Sequence, residues 1–430
     1  MSPATANLVQ PEVQNVRPTI PDRLEDLGIS RSLVSDLILR YLWLHGSGTL
    51  GMLHETLKLS FPILEVMFHS FRQQHILEVK GMVGNGDYAF SLTTGGRTLA
   101  TARNEVCQYV GPAPVSIQQY HQVVKAQTAH VRLSRESLRQ AFDDLVLPDS
   151  LLDSLGPSLI SHQSLFLYGG TGNGKTSIAE RILRIYKDTV LVPYAVEVDG
   201  HIITLFDPVV HRMAKHSEEL LDPRWVVCER PCITVGGELS AAMLELRLDE
   251  ATRCFISPFQ MKANNGILII DDFGRQVLSP RELLNRWIVP LDRRVDYLTL
   301  ASGMKFQVPF ELMVVFSTNL NPHDLADEAF LRRIQTKVLV DNVSPEVFDQ
   351  IFQRVIQINQ VPCEPGCAEY LRERCAAAGA EFLRACYPMD MYKLVKAISE
   401  YEGRPARMTR TNIDRAVGLY FAKIQTAKTN

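Results

Sequence analysis

A run of glycines followed by a lysine and a threonine is the stretch of this sequence best suited to chemistry. Residues 169–176 read Gly-Gly-Thr-Gly-Asn-Gly-Lys-Thr and match the pattern G-x-x-x-x-G-K-[ST] at every fixed position. Glycines at this spacing let backbone N–H groups surround a phosphate, because no Cβ atom blocks the close approach. The lysine adds a positive charge for the β- and γ-phosphates, and the threonine hydroxyl can ligate Mg²⁺. We therefore expect a nucleoside-triphosphate site here; the alternative is a glycine-rich turn without a ligand.

The residues expected to contact the nucleotide are Gly169, Gly170, Thr171, Gly172, Asn173, Gly174, Lys175, Thr176 and Ser177. The segments on either side of the glycine loop must position these residues. Residues 164–168 read as a short buried strand, and Ile178, Ile182 and Leu183 lie at helical spacing. A strand, a glycine loop and a helix in this order would direct the positive N-terminal end of the helix at the bound anion.

A second apolar strand, residues 266–270, ends in two carboxylates, Asp271 and Asp272. A buried parallel strand would deliver both acids at its carboxyl end, beside the glycine loop. We expect Asp271 to bind Mg²⁺ through water together with Thr176, and Asp272 to orient an attacking water. An aspartate at the end of a buried strand usually has no functional role when no binding site lies beside it. The prediction for Asp271 and Asp272 therefore depends on the glycine loop.

The composition is that of an ordinary globular protein. The 430 residues are 46% hydrophobic and 22% charged, with a formal net charge of −3. This balance gives no global electrostatic case for binding nucleic acid or acidic membranes. No apolar run approaches the roughly 18 residues that a membrane span needs. We expect a cytoplasmic protein whose eight cysteines are reduced thiols, since neither Cys228/Cys232 nor Cys363/Cys367 has the C-x-x-C spacing usual for zinc.

The sequence divides into a disordered, proline-containing tail at 1–28, a small domain at 29–108, a linker at 109–143, an α/β core at 144–342 and a helical lid at 343–430. In the small domain, three helices precede two strands joined by a turn at 84–87, an arrangement that resembles a winged helix. Its third helix carries one arginine and one glutamate among its polar residues, a poor surface for phosphate contacts. Protein docking is therefore favoured, and DNA binding remains the alternative.

Two hairpins are predicted inside the core. Strands at 189–198 and 201–206 flank an Asp-Gly pair, which is a strong signal for a two-residue turn. Strands at 296–300 and 305–308 form the second hairpin, directly before another apolar strand at 312–318. That last strand ends at Asn319.

With this order of motifs, residues 144–420 resemble the AAA+ ATPase superfamily. In that family an asparagine at the position of Asn319, called sensor 1, helps to hold the water and the γ-phosphate. Residues 327–334 look like the arginine-finger segment, so Arg332 or Arg333 would reach the nucleotide of a neighbouring subunit; the alternative is a basic helix face paired with nearby acids. Residues 403–410 are similar to the sensor 2 region, with Arg407 as first choice and Arg410 as second.

The hairpin before Asn319 resembles the AAA+ branch of MoxR-type chaperones and enhancer-binding activators, although the activators' Gly-Ala-Phe-Thr-Gly-Ala loop is absent. The resemblance implies a parallel α/β sheet with a helical lid, a homo-oligomer that is a hexameric ring, and Mg-ATP hydrolysis coupled to remodelling of a protein client. The chain departs from the family in carrying Asp-Asp, where most active members have Asp-Glu. Two other functions stay open: a DNA-transaction ATPase that uses the winged helix, and a slow nucleotide-dependent switch or scaffold.

Overall fold

The computed structural model describes residues 18–83, 87–128, 133–215, 222–325 and 328–421. Its helices are Arg31–His45 (α1), Leu50–Leu57 (α2), Phe61–Gln73 (α3), Thr94–Val106 (α4), Ile117–Ala126 (α5), Arg135–Ala141 (α6), Asp149–Ser161 (α7), Lys175–Arg181 (α8), Phe259–Lys262 (α9), Pro280–Arg286 (α10), Ile288–Arg293 (α11), Pro322–Leu325 (α12), Glu328–Leu331 (α13), Pro345–Asn359 (α14), Cys367–Ala377 (α15), Tyr387–Tyr401 (α16) and Arg410–Tyr420 (α17).

Its strands are Ser47–Gly48 (β1), Leu77–Val83 (β2), Asp87–Leu92 (β3), Val115–Ser116 (β4), Leu165–Tyr168 (β5), Thr189–Pro193 (β6), Ala195–Val198 (β7), His201–Thr204 (β8), Trp225–Glu229 (β9), Cys232–Val235 (β10), Arg247–Leu248 (β11), Phe255–Ile256 (β12), Ile267–Ile270 (β13), Val295–Thr299 (β14), Lys305–Pro309 (β15), Met313–Thr318 (β16) and Thr336–Leu339 (β17). Short 3₁₀ turns occur at Leu24–Leu27, Ile182–Ile185 and Ala241–Leu244.

The chain divides into two compact units, each assembled from separate stretches of sequence. The first unit comprises Met1–Val131, Tyr186–Leu268 and Gln276–Val314. The second comprises Arg132–Ile185, Ile269–Arg275 and Val315–Asn430. This division differs from the sequence-based domain boundaries, because most of the chain between α8 and β13 groups with the N-terminal residues. The boundaries at 29–108, 144–342 and 343–430 therefore stay a prediction.

The N-terminal stretch of the first unit contains the three helices and the two strands expected from the sequence. α1 begins after Ser30, whose hydroxyl accepts a hydrogen bond from the Leu33 N–H, and α3 has Pro62 in its first turn. β2 and β3 are antiparallel, and the short β1 adds a third strand beside β3. The turn expected at 84–87 lies outside the described residues except for Asp87. Classification as a winged helix remains a prediction.

The described part of the expected disordered tail, residues 18–28, is folded. Leu24–Leu27 forms a 3₁₀ turn in which Leu27 is completely buried. The Ser60 hydroxyl donates a hydrogen bond to the Pro21 carbonyl at 2.8 Å. Two leucines three residues apart fall on one side of a short turn, so a segment of polar composition can still contribute to the core. Residues 1–17 of the expected tail lie outside the described part of the chain.

The expected linker at 109–143 is also folded. β4 pairs in parallel with β7, and α5 buries Tyr120, Val123 and Val124 on one face. The Tyr120 hydroxyl accepts a hydrogen bond from the Asn264 amide at 2.8 Å and donates one to the Met261 carbonyl at 3.3 Å. Whether residues 109–143 act as a linker between domains stays a prediction; the structure shows that α5 presents its buried residues on one face.

Both expected hairpins are present, with one difference. β7 and β8 are joined by Asp199 and Gly200, whose φ angles of 49° and 78° suit a two-residue turn. The expected strand at 189–198, however, is two strands that separate at Tyr194. The Tyr194 N–H donates to the Arg224 carbonyl, whereas its own carbonyl accepts from the Leu205 N–H. β6 therefore pairs with β9, and β7 with β8.

The second hairpin, β14–β15, is anchored by Arg286. This side chain forms ion pairs with Asp296 at 2.5 Å and Glu245 at 2.7 Å. Asp296 lies on β14 with only 1% of its surface exposed, and it also accepts a hydrogen bond from Gln260 at 3.0 Å. A buried carboxylate requires such partners, so Arg286 fixes the base of the hairpin within its own chain.

A five-stranded sheet carries the strands that bear the expected chemistry. Its order is β10-β13-β16-β5-β17, and β5 pairs in parallel with both β16 and β17. Residues throughout β13 and β16 are buried, and the Phe166 ring on β5 lies 5.8 Å from that of Phe316. Strands that are buried on both faces of a sheet have continuous apolar sequences, as β13 and β16 do. Parallel strands, helices between them and a glycine loop after β5 define the α/β P-loop NTPase fold expected from the sequence.

Helices α14 to α17 form the C-terminal part of the described chain, as expected for residues 343–421. Their apolar faces share one core, which includes Phe348, Phe352, Leu371, Met391 and Ile413. These helices belong to the same unit as the glycine loop. No helix among the described residues combines the length and apolar character needed to cross a membrane.

Candidate functional site

The glycine loop is built as the sequence predicts, between β5 and α8. Three of its glycines have left-handed φ angles: 139° at Gly169, 82° at Gly172 and 87° at Gly174, the last of which caps α8. L-residues rarely adopt such angles, so glycine is needed for the backbone to turn back toward the helix. A Cβ atom on Gly169 would also lie 2.2 Å from the Val340 carbonyl oxygen. The conformation therefore depends on glycine for both backbone and steric reasons.

Gly169→Ala should destabilise the protein far more than Gly174→Ala. Both positions impose left-handed strain of about 1–2 kcal/mol. Only Gly169 adds the clash with Val340, since a Cβ on Gly174 would meet nothing within 4 Å. We expect Gly169→Ala to lower the free energy of unfolding by at least about 3 kcal/mol and Gly174→Ala by about 1 kcal/mol. Urea denaturation followed by circular dichroism measures both, and equal losses would contradict the observed packing.

Lys175 is buried and held by its own loop. Its ammonium group donates hydrogen bonds to the carbonyls of Gly169 and Gly170, both at 2.9 Å. Burial lowers the pKa of Lys175, while the charges of Asp271 and Asp272 act in the opposite direction. A buried cation whose hydrogen-bond acceptors among the described residues are two neutral carbonyls still attracts an anion strongly. Lys175 is thus placed to bind a phosphate that enters the loop.

Thr176 and Asp271 meet at the end of β13, which β16 separates from β5 in the sheet. The Thr176 hydroxyl donates a hydrogen bond to Asp271 Oδ2 at 2.8 Å. The other carboxylate oxygen, Oδ1, accepts from the Asp272 N–H at 3.1 Å. A hydroxyl and a carboxylate within contact distance form the sparse oxygen set with which proteins bind Mg²⁺ when phosphates and waters complete the coordination. These two residues therefore fit the predicted metal site.

Asp272 has an unusual backbone conformation. It is exposed, its φ is 49°, and its carbonyl accepts a hydrogen bond from the Arg275 N–H at 3.0 Å. Left-handed non-glycine residues are uncommon, although aspartate and asparagine tolerate the conformation better than most. The turn directs the chain away from β13 immediately after Asp271, so the two consecutive carboxylates occupy different surroundings. The sequence could not reveal this feature.

Asn319 lies just after β16, the neighbour of β13 in the sheet. Its side-chain oxygen is buried and has no hydrogen-bond partner among the described residues. Buried acceptors without a donor are rare and point to a water or a ligand that satisfies them. Thr318, the last residue of β16, contacts the Asp271 strand end, because its hydroxyl donates to the Phe273 carbonyl at 2.6 Å. Asn319 thus directly follows Thr318, which is hydrogen-bonded to the segment that carries Asp271.

Of the two candidate finger arginines, Arg332 is exposed and Arg333 is half-buried. The backbone around them is fixed by buried Leu331 and Ile334, whose carbonyls accept hydrogen bonds from Lys337 at 2.7 and 2.8 Å. An exposed guanidinium on an anchored turn suits a contact with another molecule better than a half-buried one. Asp327, the first residue of the expected segment, lies outside the described residues.

The C-terminal helices contact the glycine loop at residues that the sequence did not indicate. The Cys386 N–H donates a hydrogen bond to the Gly172 carbonyl at 2.9 Å. A Cβ atom on Gly172 would lie 2.6 Å from the Cys386 sulfur and 3.5 Å from Arg384 Cδ. Asn173 adds a contact to the loop after β17, because its amide donates to Asn342 Oδ1 at 3.1 Å. No spacing rule connects positions 172 and 386, so only the tertiary structure identifies this contact.

Arg407 and Arg410, the arginines expected at sensor 2, have other neighbours. The guanidinium of Arg410 lies 5.3 Å from the centre of the Tyr370 ring, and the Arg410 backbone N–H donates to Glu364 Oε2 at 3.4 Å. Arg407 is exposed, and its carbonyl accepts from the Asn412 amide at 2.8 Å. Among the described contacts, the helical region reaches the glycine loop through the residues before α16 and not through these arginines.

Known proteins resemble this chain weakly. A family model described as "Domain of unknown function (DUF8689)" matches residues 344–419. No curated protein matches the chain. A RuvB point mutant from Thermotoga maritima is 11% identical with a TM-score of 0.40, over 65% of this chain and 72% of that one. NtrX from Brucella abortus in complex with ADP is 13% identical with a TM-score of 0.41, over 68% of this chain and 60% of that one. The fold assignment therefore rests on the strand order and the glycine loop.

Proposed function

We propose that this chain is an AAA+ ATPase that binds and hydrolyses Mg-ATP and uses the reaction to remodel a protein partner. The observation that carries the proposal is the contact between Thr176 and Asp271 at 2.8 Å, beside a loop in which Lys175 is buried. Lys175 and Thr176 begin α8, the helix that follows β5, and Asp271 follows β13 of the same sheet. They combine a phosphate-binding cation with a metal-binding hydroxyl and carboxylate, which is the minimum set for phosphoryl transfer.

Each residue would have a defined part in hydrolysis. The loop N–H groups and Lys175 would hold the β- and γ-phosphates, and Thr176 with Asp271 would hold Mg²⁺. When bound, the metal would neutralise charge that develops on the phosphate oxygens. Asp272 would orient the attacking water, and the unsatisfied oxygen of Asn319 would accept one of its hydrogens. The shorter Asp272, in place of the family's glutamate, implies slow turnover unless its left-handed backbone restores the reach.

A protein partner is supported by the surface of the N-terminal stretch. Large apolar residues are exposed there, among them Trp43, Met52, Phe61, Met82 and Val83. Apolar side chains of this size would suit contact with another protein where they form a continuous patch. A DNA-binding surface would instead require clustered Lys and Arg for the phosphates. This composition favours the remodelling function over the DNA-transaction alternative.

Mixing two inactive variants tests hydrolysis at a shared site. Asp272→Asn should lack the group that orients water, and Arg332→Ala should lack the exposed arginine offered to a neighbour. Each alone should lose nearly all ATPase activity. In an equimolar mixture about a quarter of head-to-tail interfaces would combine an intact Asp272 with an intact Arg332, so up to about a quarter of wild-type activity should return. Phosphate release measures the activity.

Arg333→Ala is the matched control for the mixing experiment. It removes the neighbouring half-buried arginine, and if Arg332 is the finger, Arg333→Ala should retain ATPase activity by itself because its Asp272 and Arg332 are both intact. No recovery in the mixture of Asp272→Asn and Arg332→Ala would contradict the shared site. Full activity of Arg332→Ala alone would exclude this residue as the finger.

A further inference from the structure

We propose that Cys107 and Cys254 form a redox-active thiol pair, which a hydroperoxide converts into a disulfide joining the end of α4 to the turn before β12. Both residues belong to the first unit. The proposal concerns neither the glycine loop nor its nucleotide, so it stands apart from the function proposed above.

The two sulfurs are already in contact. They lie 3.3 Å apart, although the residues are 147 positions apart in the sequence. Both are free thiols, and 8% of Cys107 and 2% of Cys254 is exposed. A disulfide requires a sulfur–sulfur distance of about 2.05 Å, so the atoms need to approach by little more than about 1 Å. Such a shift is within the freedom of two side-chain torsions.

Backbone hydrogen bonds hold the two segments against each other independently of the thiols. The Gln108 N–H, next to Cys107, donates to the Thr252 carbonyl at 2.7 Å. The turn that carries Cys254 is closed by Asp249, whose N–H donates to the Cys254 carbonyl at 2.8 Å. The Asp249 carboxylate also accepts a hydrogen bond from the Thr252 hydroxyl at 2.7 Å. The pair is therefore positioned by the fold, and the thiols meet as a consequence.

A buried arginine adds a smaller electrostatic contribution that favours the thiolate of Cys107. Only 3% of Arg40 is exposed, and its Nε and Nη1 atoms have no hydrogen-bond partner among the described residues. Its ion pair with Asp36 is long, at 3.9 Å, and Asp36 also pairs with Arg103 at 3.4 Å. A buried cation with unused donors favours a nearby anion, and the thiolate of Cys107 would be that anion.

The two thiols differ in their protonation. The hydrogen bond shared with Cys254, followed by the Tyr109 N–H and the charge of Arg40, lowers the pKa of Cys107 against the opposing effects of burial and Asp36. The same hydrogen bond, together with burial, raises the pKa of Cys254. Cys107 would thus be the attacking thiolate, with Cys254 as the thiol that resolves the intermediate. Cys228 is a contrasting buried thiol, because burial alone raises its pKa to about 12.

The chemistry balances with a hydroperoxide as the oxidant. The Cys107 thiolate attacks the terminal peroxide oxygen, a sulfur–oxygen bond forms, the oxygen–oxygen bond breaks, and water leaves after proton transfer. The resulting sulfenic acid is attacked by the Cys254 sulfur, which forms the disulfide and releases a second water. Two thiols and one hydrogen peroxide thus give one disulfide and two waters. The product closes a loop of 147 residues, so oxidised protein should resist denaturant more than reduced protein.

The test treats the full-length, fully reduced protein with hydrogen peroxide under native conditions. After remaining thiols are alkylated, intact mass and non-reducing peptide maps identify the products. We expect one linkage, between the peptides of Cys107 and Cys254, that a phosphine reductant reverses. Cys254→Ser should stop at a sulfenic acid on Cys107 that dimedone traps, whereas Cys107→Ser should give no dimedone adduct on Cys254. The control Cys228→Ser should behave as wild type.

Arg40→Met tests the electrostatic argument. Removal of the guanidinium should raise the pKa of Cys107, so the pH at which peroxide oxidation of this thiol reaches half of its maximum rate should shift upward. Should that variant fold poorly, the wild type provides a second measurement: Cys107 should react with iodoacetamide faster than Cys228 in the same sample. The proposal is overturned if no Cys107–Cys254 linkage forms while the protein stays folded. It is equally overturned if dimedone labels Cys254 in Cys107→Ser, or if Cys228 reacts as fast as Cys107.

Discussion

Lys175→Ala is expected to weaken ATP binding by at least about 100-fold and thereby to remove hydrolysis at ordinary ATP concentrations. The lysine is buried, and within the described part of the chain its ammonium group donates to the carbonyls of Gly169 and Gly170. A triphosphate would replace these neutral acceptors with negatively charged oxygens, whose attraction for a cation is strong in a buried position. Alanine removes that gain and leaves the phosphates facing Asp271 and Asp272 without compensation. Titration calorimetry with Mg-ATP measures the affinity.

Lys262→Ala is a suitable control for Lys175→Ala. Lys262 also forms a partly buried polar contact, an ion pair with Asp207 at 2.8 Å, but it lies in the first unit. Its replacement should leave ATP affinity within about twofold of wild type. Undiminished ATP binding by Lys175→Ala would mean that the glycine loop does not hold the phosphates, and the proposed function would fail with it.

The sequence was most informative where a local pattern determines the geometry. Glycine spacing determines the conformation of the loop at 169–176, and an apolar run before two acids determines β13. Thr176 and Asp271 come together because parallel strands end at one edge of a sheet, which sequence reasoning could anticipate. No local sequence pattern could establish the roles expected for Arg407 and Arg410 in the C-terminal helices. Contact between Gly172 and Cys386 depends on how separate helices pack, and no periodicity records that.

The other differences share a physical cause. Composition averages over a segment, whereas burial is decided residue by residue. Leu27 is buried within a polar, proline-containing stretch, and Tyr120 is buried on a mostly polar helix. At Tyr194 a continuous β-rich run is divided because its backbone groups find partners on two different strands. Pattern reasoning recognises elements, but it does not assign their hydrogen-bond partners when those are distant in sequence.

Asp272→Asn is expected to lower the rate of ATP hydrolysis by about 10²–10³-fold while leaving ATP affinity nearly unchanged. The amide has almost the same shape as the carboxylate, but it cannot accept a proton from the attacking water. Asparagine also tolerates the left-handed φ of 49° at this position, so the fold should be preserved. The measurement pairs single-turnover hydrolysis with Mg-ATP affinity and with thermal unfolding.

Asp199→Asn is a control matched in backbone conformation. Asp199 is exposed and has the same φ of 49°, but it lies in the β7–β8 turn. The substitution should change neither hydrolysis nor stability. An equal loss of hydrolysis in both variants would show that the Asp272 effect is not specific to the site. Normal hydrolysis by Asp272→Asn would remove Asp272 from the mechanism.

The same variant would identify the partner. Asp272→Asn should remain bound to ATP for longer than wild type, whereas Lys175→Ala should not bind it. A client engaged by the ATP-bound form would therefore be recovered with Asp272→Asn and ATP, and lost with Lys175→Ala. Because both substitutions change side chains of one site in the second unit, a difference in recovered protein would reflect nucleotide state. Identical partners from both variants would mean that ATP does not govern engagement, and the remodelling function would be wrong even if hydrolysis is real.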